Sequence, residues 1–278
     1  MKKPILFTLG IILLCFGNTF CMEVDVMISK LTAVKSGIAG SFTSIDKGIS
    51  TAAKKLSGID LKSDDARKIL QNLGNGRPYM VDVAIIDKKG KIVQVEPAAY
   101  QKYEGSDVSA QEHNIALARD KKPVLSGVFR TLEGTDAVDF AYPIISASGA
   151  YLGSVSMLVK QDALTGNVIV PIVAELPFKV WIMQKDGLII YDADSAQIGK
   201  YVFSDVSFRP FNQLISFSRT VAMAKDGGGS YDFYDNGLTD KTVVKKYAVW
   251  DTVSLYGTEW RIISMKAMPA EKKGEDKK

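Results

Sequence analysis

The sequence predicts an α+β fold: a long N-terminal helix, then two tandem units, each a five-stranded antiparallel sheet with flanking helices. Three observations carry this reading. Val24, Ile28, Leu31, Val34, Ile38, Phe42, Ile45, Ile49, Ala52 and Leu56 step by three or four residues, the spacing of one helix face. The stretch Val81-Asp-Val-Ala-Ile-Ile-Asp-Lys-Lys-Gly-Lys-Ile-Val-Gln-Val95 joins two β-rich runs through a polar turn closed by Gly90, a hairpin pattern. The same pattern returns in Val180-Trp-Ile-Met-Gln-Lys-Asp-Gly-Leu-Ile-Ile-Tyr-Asp192, with Val83, Lys88, Gly90 and Ile92 falling on Val180, Lys185, Gly187 and Ile189 at a constant offset of 97.

At 278 residues the chain has the length of two ordinary domains. The expected division is a leader over 1–21, helices over 22–77, one sheet unit over 78–162, a second over 163–268 and a charged, disordered tail over 269–278. A composition of 46% apolar and 24% charged residues supplies a real core. The formal net charge is +4, and Lys2 and Lys3 carry two of those charges, too weak an excess for a nucleic-acid-binding face.

Lys2-Lys3, the apolar run from Ile5 to Phe16 and Gly17-Asn-Thr-Phe-Cys21 read as the three parts of a signal peptide. The apolar run is shorter than the roughly 20 residues of a comfortable membrane span, which favours export with cleavage over an inner-membrane anchor formed by residues 4–20. Lipid attachment at Cys21 lacks the small and aliphatic residues that should precede it. Cys15 and Cys21 both lie in the leader, so the expected mature chain is a periplasmic or secreted protein with no disulfide and no thiolate metal site.

Within the long helix, Gly37, Gly40 and Gly48 each cost about 1 kcal/mol, and small residues there allow close approach of another helix, a sheet or a partner chain. Ser63 caps a short helix ending at Gly74. After the first hairpin come a helix over 110–119 and strands over 124–131, 138–145 and 151–159. Residues 162–175 cross to the second unit, whose hairpin (180–192), loop and helix (193–225) and strands (230–235, 243–253, 259–266) repeat the plan.

With the order of elements in place, the chain resembles the double Cache family, the tandem PAS-like extracytoplasmic sensing module of bacterial and archaeal chemoreceptors and histidine kinases. The resemblance rests on the first hairpin, on Ala141-Tyr-Pro-Ile-Ile145 with Gly149-Ala-Tyr-Leu-Gly-Ser-Val-Ser156, on Asp186-Gly187, Ile198-Gly199 and Gly227-Gly-Gly-Ser-Tyr-Asp-Phe233, and on Gly257-Thr-Glu-Trp-Arg-Ile262. It implies a small-molecule sensor that signals through a partner protein, or as a homodimer through the long helix. The ligand would lie in the membrane-distal first unit, between the concave sheet face and the loop–helix excursion. The family's amino-acid binders carry an Arg-x-Trp-Tyr cluster on the pocket helix and an acid late in the last strand. Here those places read Gln111-Glu-His-Asn-Ile115 and Val155-Ser-Met-Leu158, so a small carboxylate is expected instead.

The implied pocket places ligand-binding candidates at Tyr100, Tyr103, His113, Arg130 and Asp139. His113, the single histidine, can donate to a carboxylate near neutral pH or sit on a helix surface. Tyr100 and Tyr103 offer ring faces with hydroxyl tips, for a guest or for ordinary packing. Arg130 is either a bidentate carboxylate clamp or a solvated strand residue. Asp139, on the apolar strand Val138-Asp-Phe-Ala-Tyr142, faces the pocket or water, and if buried it needs a partner. Asp192 and Asp194 are expected to be turn carboxylates, because calcium would require more oxygen ligands. Gly227-Gly-Gly229 is expected to be a mobile lead into a strand rather than a phosphate loop. Trp181, Trp250 and Trp260 are expected in the second unit's core. No cofactor or metal is implied, and with one histidine and no mature cysteine the chain reads as a binding protein rather than an enzyme. An interaction or scaffold protein of the cell envelope, its units no longer binding anything, is the alternative.

Overall fold

A computed structural model describes residues 18–269, so the expected leader up to residue 17 and the tail after 269 lie outside the described residues. Helix α1 (Asn18–Leu56) is followed by α2 (Asp64–Gly74), whose N-cap Ser63 accepts a hydrogen bond from the Ala66 amide. No described helix is long and apolar enough to cross a membrane.

The first sheet holds β1 (Met80–Asp87), β2 (Ile92–Glu96), β3 (Val124–Leu125), β4 (Phe129–Arg130), β5 (Asp136–Ile145) and β6 (Tyr151–Val159), in the order β2-β1-β6-β5-β3 with β4 also on β5. Helix α3 (Glu112–Asp120) lies between β2 and β3. The strand expected over 124–131 is split in two. Ser126 still pairs with Asp139, but the Val128 amide turns away to the Gln184 side chain of the second unit, 3.0 Å distant. Helix α4 (Gln161–Val173), which contains Pro171, carries the chain across.

The second sheet is β8-β7-β11-β10-β9, from β7 (Lys179–Gln184), β8 (Ile189–Asp192), β9 (Gly227–Tyr234), β10 (Val243–Leu255) and β11 (Thr258–Ala267), with α5 (Asn212–Met223) before β9. The repeat seen in the sequence is structural. The register of β1 on β2 shifts between Ile85 and Ile86, and that of β7 on β8 shifts between Ile182 and Met183, the same places at an offset of 97. Gly105 donates to the Ile92 carbonyl as Gly199 donates to that of Ile189. The Gly227–Gly229 segment is not a lead-in but the start of β9. A Cβ at Gly227 would lie 2.4 Å from the Trp250 ring, so glycine is required there, while one at Gly229 would lie 3.2 Å from Phe217 of α5, a tight fit.

Helix α1 packs on both sheets, and a single apolar core runs along it from Met27 to Leu56. Ile28, expected on the buried stripe, is 41% exposed; Met27, 1% exposed, takes its place because the helix meets the second sheet with a slightly rotated face. Phe42 sits at the junction, edge-on to Phe140 of the first sheet (5.6 Å) and to Trp260 of the second (4.9 Å). Trp260 thus fills the shared core, while Trp181 and Trp250 fill the second unit's own. At Gly37 a Cβ would come within 2.5 Å of Val168, so this glycine seats α4 of the same chain; nothing approaches Gly40.

Candidate functional site

The first sheet presents an inward face on which Asp82 of β1 and Asp139 of β5 both stand opposite Leu158 of the strand between them. Alternation along each strand sends both carboxylates to the same side as Ser156. Asp82 is 3% exposed and Asp139 1%. Above them the turn between β4 and β5, with Thr131 and Glu133, closes a roof, and Phe129 and Gln111 form part of the wall. The enclosed hollow is small, about 30 Å³, room for roughly one or two waters.

The hollow is electrostatically one-sided. Asp139 Oδ1 accepts from Ser156 Oγ at 2.7 Å, and its Oδ2 lies 3.2 Å from His113 Nε2, a close approach without good hydrogen-bond alignment. His113 is buried and tilts over Phe129, ring centres 4.8 Å apart. Burial, reinforced by the Glu133 and Asp139 carboxylates, holds the Asp82 carboxyl well above the usual range. Oε2 of Glu133 and Oγ1 of Thr131 are buried without a protein partner.

Two of the five sequence candidates are thus brought together, His113 and Asp139. Tyr100 and Tyr103 stack on each other beside the hollow, ring centres 6.4 Å apart, and pack on apolar residues around Ile92 and Val95. Arg130 points elsewhere, forming an exposed pair with Asp136 at 3.3 Å. It lines a groove shared with Tyr201 of the second unit, because its neighbour Phe129 takes the inward position. Asp82, Glu133 and Ser156 escaped the sequence reading. An Asp inside the apolar run Met80-Val-Asp-Val-Ala-Ile-Ile86 was the available signal for Asp82; Glu133 looks like any turn acid. The last strand has no acid over Val155-Ser-Met-Leu158, as its sequence shows, but Asp82 and Asp139 flank Leu158 on the neighbouring strands.

The second unit has a cavity at the corresponding face, about 130 Å³, lined by Trp181, Asp192, Phe208, Tyr231, Phe233 and Lys246 among others. Asp194 is a turn carboxylate, as expected: it caps the short helical turn at Ser195–Gln197 and accepts from the Leu238 amide. Asp192 also makes a turn contact, its Oδ1 accepting from the Asp194 amide, and at 8% exposed it stands on the cavity wall as well. Among the described residues no group of His, Cys, Asp or Glu has the arrangement of a metal site.

The family model of the HK/GC/chemotaxis protein-like sensor domain matches residues 40–161. No curated protein matches the chain. Among solved structures, an extracellular ligand-binding receptor from Desulfohalobium retbaense is similar at 29% identity over 86% of this chain, TM-score 0.71, and this chain spans 39% of its length. The ligand-binding domain of the Campylobacter jejuni chemoreceptor Tlp3, in complex with 4-methylisoleucine, is 9% identical over 92% of this chain and 97% of its own, TM-score 0.66. That of the Pseudomonas aeruginosa PAO1 amino acid chemoreceptor PctB, in complex with L-Arg, is 15% identical over 87% of both chains, TM-score 0.60. The sensor-domain match covers residues 40–161, and the two-sheet architecture is the one these extracellular receptor domains share, the fold that the resemblance to the double Cache family implies.

Proposed function

We propose that the protein is an extracytoplasmic sensor that binds a small molecule bearing a protonated amine in the hollow of its first unit and signals through a partner. The single observation behind the amine is the set of inward carboxylates, Asp82, Asp139 and Glu133, whose only basic neighbour among the described residues is His113. Buried carboxylates need a proton or a cation, and a ligand ammonium would supply one. The small carboxylate expected from the sequence would instead bring a further carboxylate to them. The amino acids bound by PctB and Tlp3 carry such an ammonium. A guest of that size requires the Thr131–Glu133 roof to lift, and ligand binding would act through the difference in affinity between closed and lifted states.

Isothermal titration with a panel of primary amines, amino acids and organic acids tests this. An amine-bearing compound binds the wild type, and Asp139→Asn, which keeps the Ser156 hydrogen bond, weakens it about tenfold or more. Binding of organic acids alone would overturn the amine. The scaffold reading draws on the smallness of the hollow, and it gains if no compound binds while a partner is retained by the protein irrespective of ligands. Binding, not turnover, is the activity proposed; export and a signalling partner or homodimer along α1 complete the reading.

A further inference from the structure

The second unit holds two buried, oppositely charged side chains on one cavity wall that do not reach each other. Asp192 Oδ1 accepts from the Asp194 amide at 2.8 Å. Lys246, 1% exposed, donates to the Asp235 carbonyl at 3.1 Å and stands over the Phe233 ring at 5.5 Å. No ion pair joins Asp192 to Lys246 among the described residues, although each acts on the other electrostatically. Two buried charges with incomplete pairing are an unfavourable arrangement for stability alone, since apolar residues in their place are often neutral or better.

We infer that the second unit carries its own binding site for a small zwitterion, whose ammonium meets Asp192 and whose carboxylate meets Lys246. The cavity of about 130 Å³ approaches the roughly 150 Å³ that accommodates benzene, so about six non-hydrogen atoms fit, the size of alanine. Trp181, Phe208 and Tyr231 supply an apolar bed for its methyl and methine carbons, and the exposed Asn236 marks the mouth. This site is independent of the first unit's hollow and of the ligand proposed there.

Protonation supports the geometry. Burial pushes the Asp192 carboxyl up to about 7 against the Asp194 amide, Lys246 and Lys179, which favour its charge. Burial and Lys179 lower Lys246 to about 8, opposed by Asp192, Asp235 and Asp240. The zwitterion therefore binds best between about pH 7 and 8, weakening below as Asp192 takes a proton and above as Lys246 loses one.

The test is titration calorimetry of the full chain with L-alanine, propionate and ethylamine, repeated on Asp192→Asn, Lys246→Met and Asp139→Asn, each checked for folding by circular dichroism. The expected result is an alanine-binding event at least about tenfold tighter than either half-molecule shows, lost from Asp192→Asn and Lys246→Met, while any separate first-unit event is lost only from Asp139→Asn. Should Lys246→Met fail to fold, the near-isosteric Asp192→Asn decides alone. Alanine binding lost in Asp139→Asn but kept in Asp192→Asn would overturn this site while leaving the first unit's reading intact. Equal binding of propionate or ethylamine, or no alanine binding by the wild type, would also overturn it.

Discussion

Asp192 holds its proton to about pH 7 in the folded chain, whereas in the unfolded chain it loses it near pH 4. Between those values the folded state binds more protons, so this residue's contribution to stability is fully present below about pH 4 and lost as pH rises to about 7. Asp82 acts in the same direction. Urea unfolding followed from pH 4 to 8 should show stability falling, and Asp192→Asn should flatten part of the slope and leave the protein on the order of 2 kcal/mol more stable at pH 7.5. Legibility at this scale was uneven. Asp139 was visible as an acid on an apolar strand, but its side had to come from pairing, because the strand before it breaks at Ser126–Val128 and gives no phase to count from. Asp82 and Asp192 lie in strands legible from their pattern, but nothing in the sequence marks the face of Asp82, and Asp192 reads as a turn carboxylate until the cavity beside it is seen.

Two glycines on one helix separate steric need from propensity. Gly40 has nothing near it, so Gly40→Ala should stabilise the protein by about 0.5–1 kcal/mol through helix propensity alone. Gly37 touches Val168, and Gly37→Leu should destabilise by about 1–3 kcal/mol through overpacking, with partial recovery in combination with Val168→Ala. Chemical denaturation of the three variants measures both effects. Elements with a strong period were legible: α1, both hairpins and the long strands appear near their expected bounds. The Ser126 break was not, because its cause is a side chain, Gln184, some sixty residues away in sequence. The Gly227 strand start was missed for a similar reason, since a glycine run looks loose until Trp250 and Phe217 are seen against it.

Across the whole molecule, the shared core along α1 makes one cooperative body of two sheets. Phe42→Ala should cost about 3–5 kcal/mol and lower the protection of both sheets together in hydrogen exchange, rather than releasing one unit. The duplicated plan was open to reading because its turn glycines recur at fixed spacing, whereas the way one helix serves both copies is a property of packing that spacing cannot express. That helix also imposes an order on biosynthesis. Its early part meets the unit made last, as the Lys35–Asp251 bridge across 216 positions shows. A nascent chain therefore emerges with Met27, Leu31 and Val34 bare and waiting, and a polypeptide ending near residue 162 would expose that row to water and to its neighbours. Such a fragment, however complete its own sheet, should be sticky and dependent on chaperones in a way the finished protein is not.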